Sequence, residues 1–148
     1  MTSLLTIGTF DLLHVGHLSL LRKCRQLADH VTVAVNPDDF VAEFKGAKPV
    51  IPQIERMEML RECRLVDAVM PASGRNSSTT IDIWTRGNDG PRVLAIGLDW
   101  RDRDYMAQLG IDEDFLKFRC IELVYLDSES AQRSSAIKAK LNGNLLGQ

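Results

Sequence analysis

The sequence predicts an α/β domain built on an open parallel sheet, and three observations carry that prediction. Leu4–Gly8 (LLTIG) is a short apolar run that ends at glycine, as a buried strand does. From Gly16 to Asp29, apolar residues recur at Leu18, Leu20, Leu21, Cys24, Leu27 and Ala28, the spacing of an amphipathic helix. Val31–Val35 (VTVAV) is rich in β-branched residues and stops at Asn36-Pro37, so a second strand runs into a turn. Strand, helix and strand in that order predict a parallel pair joined by a right-handed crossover.

The alternation continues to the end of the chain. Residues 37–51 read as a polar loop, after which Pro52 opens a helical pattern through Ile54, Met57, Leu60 and Cys63. Asp67–Met70 reads as a brief strand ending at Pro71, Ser73–Ser78 as a loop, and Thr79–Thr85 as a helix. Arg92–Ile96 is a strand closed by Gly97. Asp102–Leu109 and Asp112–Phe118 are short helices, followed by the strand Ile121–Leu126. Ser134–Leu141 is a helix with serine at its start, and the Gly- and Asn-containing tail is expected to fray. Strands alternating with helices predict an open sheet of about five strands with helices on both faces. No repeat, low-complexity tract or linker divides the 148 residues, so residues 1–148 read as one domain.

Composition narrows the function. Apolar residues make up 45% and charged residues 26%, values of a soluble globular domain. A net charge of −2 argues against a protein that binds nucleic acid over a broad surface, although a local phosphate site needs only a few cations. Cys24, Cys63 and Cys120 are odd in number and widely spaced, which suggests reduced thiols and not a disulfide framework or zinc site. No signal peptide or membrane-length apolar run is visible, and the expected location is the cytoplasm.

In an open parallel sheet, ligands bind at the carboxyl ends of the strands, where strand order reverses. The segment leaving the first strand is Gly8-Thr9-Phe10-Asp11-Leu12-Leu13-His14-Val15-Gly16-His17. Its glycines allow backbone to approach a ligand, and its histidines lie three apart at a helix entry, on one face in helical geometry. The helix end adds unpaired N–H groups that suit phosphate. One histidine here would ordinarily be structural. Two could form half of a metal site, but no third ligand is near in sequence, and the identity of any metal ligand stays open. The dinucleotide fingerprint G-x-G-x-x-G is absent.

GTFDLLHVGH resembles the HxGH signature of the cytidylyltransferase-like nucleotidyltransferases, most closely the glycerol-3-phosphate cytidylyltransferase branch. The similarity extends to the strand VAVN, the stretch KGAKPVIPQIER, the strand end GLDW, and a terminal QRSSAIK that is similar to the family's ISSTxIR. It implies a Rossmann-like fold and transfer of a nucleoside monophosphate, CMP from CTP, to a small phosphorylated alcohol such as glycerol 3-phosphate, with release of pyrophosphate. Mg²⁺ is implied with the triphosphate. A homodimer is common in the family, and the sequence leaves the oligomeric state open.

The same resemblance distributes roles. His14 and His17 contact the triphosphate and stabilise the transition state, and Lys45 and Lys48 match lysines that serve the phosphates. Gly8, Thr9 and Phe10 belong to the nucleotide-binding turn, and Gly16 lets the helix entry pack closely on phosphate. Asp11 orients this loop or simply caps a turn. Asp99, in GLDW, falls where the family places a carboxylate near the base, while Trp100 reads as packing. Ser134 and Ser135 belong to the terminal motif. Arg56 matches a family arginine, though on an amphipathic helix it also reads as an exposed charge or a salt-bridge partner.

Three departures from the pattern bear on specificity. The arginine that opens the family's RTEGIS stretch is Ser128 here, and Arg133 is the candidate to replace it. After Pro71, where the glycerol-3-phosphate enzymes supply a tryptophan and a lysine, the chain reads Ser73-Gly74-Arg75-Asn76-Ser77-Ser78. An insertion follows Trp100, across Arg101–Gly110. The alternative readings are an adenylyltransferase using ATP on a sugar phosphate, similar to the heptose-phosphate enzymes, and a nucleotide-binding module without catalysis.

Overall fold

In the computed structural model, which describes residues 1–97, 105–127 and 134–146, the five strands are β1 (Ser3–Gly8), β2 (His30–Val35), β3 (Ala68–Pro71), β4 (Arg92–Gly97) and β5 (Ile121–Leu126). They form one sheet in the order β3-β2-β1-β4-β5. Every pairing is parallel, with Leu4 opposite both Val31 and Val93, and Arg92 opposite Ile121. This Rossmann-like α/β sheet is the architecture the sequence predicts.

The intervening helices are α1 (Val15–Leu27), α2 (Asp38–Lys45), α3 (Gln53–Arg61), α4 (Ser77–Arg86), α5 (Tyr105–Leu109), α6 (Glu113–Phe118) and α7 (Ser134–Leu146). Side-chain alternation along the strands divides the core between the two faces. Leu5, Ala34, Leu94 and Ile96 pack with Ile81 and Trp84 of α4, Leu109 of α5 and Leu116 of α6. Leu4, Val31, Val93 and Ala95 pack with Cys24 of α1, and Val33 and Val35 with Leu21 of α1 and Met57 and Leu60 of α3. Burial pushes the Cys24 thiol up to about 12, so it behaves as a packing group. Cys24, Cys63 and Cys120 are all free. Among the described residues no helix is long and apolar enough to cross a membrane.

The structure corrects several expectations. The polar stretch 37–51 contains α2, begun at Pro37, carrying Asp38 and Asp39 in its first turn, and ended by Gly46 at φ +82° with its N–H donated to the Ala42 carbonyl. Its apolar face is too small to show as a pattern, because Val41 is its one buried residue. On α3 the expected Met57 and Leu60 are buried, but Ile54 is 73% exposed and Arg56 is buried with them. α4 begins two residues before the expected Thr79, and α7 runs past Leu141 to Leu146.

Candidate active site

The chain builds β1, β2 and β3 outward on one side, then crosses to place β4 on the other side of β1. Strand order therefore reverses between β1 and β4, and the crevice opens at their carboxyl ends, Gly8 and Gly97. The segment Gly8–His17 leaves β1 at this point and enters α1.

Its backbone is unusual. Phe10 and Leu12 take φ +54° and +53°, left-handed values that cost a side chain energy. Phe10 is 5% exposed, and its ring fills the space beside Gly8 and lies 5.3 Å from the His17 ring. A Cβ at Gly8 would stand 2.8 Å from that ring, so this position needs glycine for close approach.

The two histidines cap α1 together. His14 is the N-cap residue, with extended backbone, and its Nδ1 accepts from the Gly16 N–H at 3.0 Å. In return His17 Nδ1 accepts from the His14 N–H at 3.2 Å. This is the geometry of a capping box with imidazoles in place of the usual hydroxyl and carboxylate. The rings stack at 3.8 Å between centroids. In this geometry each Nδ1 serves as a backbone acceptor, which leaves Nε2 as the ring position for a donated proton.

Asp11 is 4% exposed and binds backbone far away in sequence. Its carboxylate accepts from Val50 N–H at 2.8 Å and Ile51 N–H at 3.0 Å, and Lys138 Nζ of α7 lies 2.9 Å away. Burial by itself would raise the Asp11 pKa, but the two N–H donors and the Lys138 ammonium outweigh it and hold the carboxyl below its ordinary value. The Asp11 carbonyl also accepts from the Ser134 hydroxyl. Of the two roles open from sequence, orienting the turn fits these bonds better than capping it.

Arg56 is the residue that sequence reasoning undervalued. At 1% exposure it is no surface charge. Its guanidinium donates to the carbonyls of Thr9 at 2.6 Å, Ile51 at 2.8 Å and Asn36 at 2.9 Å, and to the Asp38 carboxylate at 2.6 Å. The planar fork of donors suits four acceptors arranged around it, which a lysine could not serve. The signal was available: Arg56 and Leu60 are four apart on α3, so an arginine occupies the buried arc.

Of the expected site residues, the structure brings together Gly8, Thr9, Phe10, Asp11, His14, Gly16, His17 and Ser134. Ser135 follows Ser134 and is exposed. Lys45 stands in the last turn of α2 and not in a loop, exposed, with its ammonium 5.6 Å from the Phe44 ring centroid. Lys48 is exposed and pairs with Asp39 at 3.5 Å. Asp99, Trp100, Ser128 and Arg133 lie outside the described residues.

Comparison with known proteins bears on this site. Residues 5–138 match the family described as cytidylyltransferase-like. A glycerol-3-phosphate cytidylyltransferase of Staphylococcus aureus is 32% identical over 97% of this chain and 97% of its own. An FAD synthase of Thermococcus onnurineus is 33% identical over 88% of this chain and 84% of its own. Among solved structures, a lipopolysaccharide core biosynthesis protein from Thermoplasma volcanium superposes with a TM-score of 0.66 at 21% identity, covering 88% of this chain and 99% of that one, a likeness of fold. The chain that carries this histidine-capped turn at the reversal of strand order belongs to the cytidylyltransferase-like family of nucleotidyltransferases.

Proposed function

We propose that this protein transfers the nucleoside monophosphate of CTP to a small phosphorylated alcohol of the glycerol 3-phosphate kind, releasing pyrophosphate. The observation that carries the reading is the paired-histidine cap of α1 beside the β1–β4 crevice. CTP is placed first because the similarity to the glycerol-3-phosphate cytidylyltransferase spans nearly the whole of both chains.

In this reading an acceptor phosphate oxygen attacks the α-phosphorus, the bond from that phosphorus to the bridging oxygen breaks, and pyrophosphate leaves with the electron pair. A phosphomonoester has its second pKa near 6, so the nucleophile is already largely dianionic at neutral pH and needs no general base. Catalysis then consists of holding two anions in line and stabilising the charge on the transferring group. His14 and His17, protonated on Nε2, donate to phosphate oxygens without carrying a formal charge. The N-terminus of α1 adds its dipole. Lys45 and Lys48 supply cations from the segment that Asp11 and Arg56 tie to the turn, Ser135 adds a hydroxyl from α7, and Arg133 is assigned to phosphate from the sequence alone. Asp99 is assigned to the base by the family resemblance alone.

Among the described residues no group of three or more His, Cys, Asp or Glu could hold a metal ion. Mg²⁺ enters this reading with the nucleotide substrate, as is usual for that ion with triphosphates. A second reading, adenylyl transfer from ATP, is favoured by the FAD synthase similarity, since that product contains adenine. The test is pyrophosphate release with each of four NTPs against a panel of phosphorylated alcohols and sugars. Clear preference for CTP with a polyol phosphate supports the first reading. Preference for ATP replaces it with the second, and no release with any pair removes catalysis.

A further inference from the structure

Helix α7 is joined to the histidine turn through polar contacts. Among the described residues, none from α7 belongs to the buried core, and Leu141 is 55% exposed. Two polar attachments converge on one residue. Ser134 Oγ donates to the Asp11 carbonyl, and Lys138 Nζ sits 2.9 Å from the Asp11 carboxylate. Ser134 and Lys138 are four apart, so one stripe of α7 makes both contacts. The same carboxylate holds the Val50 and Ile51 N–H groups and lies three residues before His14.

We infer that Lys138 is a positioning residue: paired with Asp11, it docks α7 against the histidine turn as a detachable wall of the nucleotide site. An ammonium that is 38% exposed facing a carboxylate that is 4% exposed gives a directional attachment, and no described side chain of α7 is fully buried behind it. Elements with few buried apolar contacts open at lower free energy than the core. The helix α7 can therefore leave and return while the sheet stays intact, and its first turn, with Ser134 and Ser135, reaches the phosphates only when docked. The nucleotide part of this inference rests on the proposed function, whereas the docking itself does not.

The experiment compares Lys138→Met, Lys138→Arg and Asp11→Asn with the parent by amide hydrogen exchange without nucleotide, then by steady-state kinetics with CTP·Mg and ATP·Mg. In Lys138→Met, exchange of residues 134–146 is expected to rise by about tenfold, the scale of one lost contact, while β1 and β4 stay as protected as in the parent. KM for the nucleotide rises by a similar factor with kcat changed much less. Lys138→Arg, which keeps the ion pair, restores both. Asp11→Asn loosens α7 as Lys138→Met does, and combining the two adds little to its exchange. Unchanged exchange in Lys138→Met overturns the inference, and so does a rise shared equally by the sheet. If the parent turns over neither nucleotide, the proposed function fails, and the exchange comparison still decides the docking.

Discussion

Asp11 and Arg56 hold one strip of backbone from its two chemical sides. Asp11 accepts from the N–H groups of Val50 and Ile51, while Arg56 donates from Nε to the Ile51 carbonyl. Arg56 also takes the Thr9 carbonyl, two residues before Asp11, and the Asp38 carboxylate at the start of α2. The segment bearing Lys45 and Lys48 is thus fixed to the histidine turn at both ends, although neither lysine is itself buried.

Arg56 should then be a large stability determinant despite its position on a short polar helix. Replacing it with leucine leaves Asp38 and three carbonyls without their donor. Removing one partner from a buried pair costs about 3–5 kcal/mol, and here the lower end applies because the Asp38 side chain is 33% exposed. Arg56→Lys keeps the charge but cannot span four acceptors, so it should recover only part of the loss. Urea unfolding of both variants checks this, and a change below about 1 kcal/mol for leucine would show that the network is incidental.

Much of the fold was legible because its strands are written in β-branched runs. What stayed hidden has a common cause. Asp11 finds its N–H partners 39 and 40 residues away, and Arg56 reaches Thr9 across 47. No local periodicity reports contacts of that kind. On α3, Met57 and Leu60 keep the expected inner face while exposed Ile54 and buried Arg56 depart from it, since four polar acceptors make a buried guanidinium acceptable where hydropathy alone predicts exposure. The histidine turn was readable as a site because its chemistry lies within ten consecutive residues.

Acid sensitivity should trace in part to Asp11. Its folded pKa lies below the unfolded value of about 3.9, so its contribution is complete above that value and is lost as pH falls through the folded one. Asp67 adds a second contribution of the same sign. Burial opposes its ionisation, but the Val31 N–H, Arg25 and His30 hold its pKa down. Asp11→Asn isolates the first. Its stability deficit relative to the parent should be largest near neutrality and shrink toward pH 3, measured by urea unfolding across that range. A deficit independent of pH would mean that shape, not charge, holds the turn.

Gly8→Ala should damage activity more than stability. The new methyl meets the Phe10 ring at 2.8 Å, and that ring is confined between Gly8 and His17. Overpacking typically costs about 1–3 kcal/mol, and relief by moving Phe10 displaces the His17 ring from its stack on His14. Turnover should fall steeply while the urea midpoint moves modestly. Normal turnover in a folded Gly8→Ala variant would show that the ring position does not set the histidine geometry.

In the proposed function the histidine pair performs two tasks, and substitution can separate them. As N-cap, His14 accepts from Gly16 N–H through Nδ1, and as the third helical residue His17 accepts from His14 N–H. His14→Ala removes the cap and should cost about 1 kcal/mol of stability. As a phosphate donor is also lost, turnover should fall by about 10²–10³. Asparagine at an N-cap and glutamine three residues on are good capping residues, and their side-chain oxygens can accept the same two backbone bonds. His14→Asn and His17→Gln, singly and together, should therefore keep nearly parental stability. Neither amide places a donor where Nε2 stands, so turnover should remain as low as in the alanine variants. Unfolding and turnover measured on the same samples decide the matter. If His14→Asn is as unstable as His14→Ala, the cap does not stabilise α1. If the double variant is stable and fully active, the histidines serve the helix alone and the transfer chemistry must be sought elsewhere on the β1–β4 crevice.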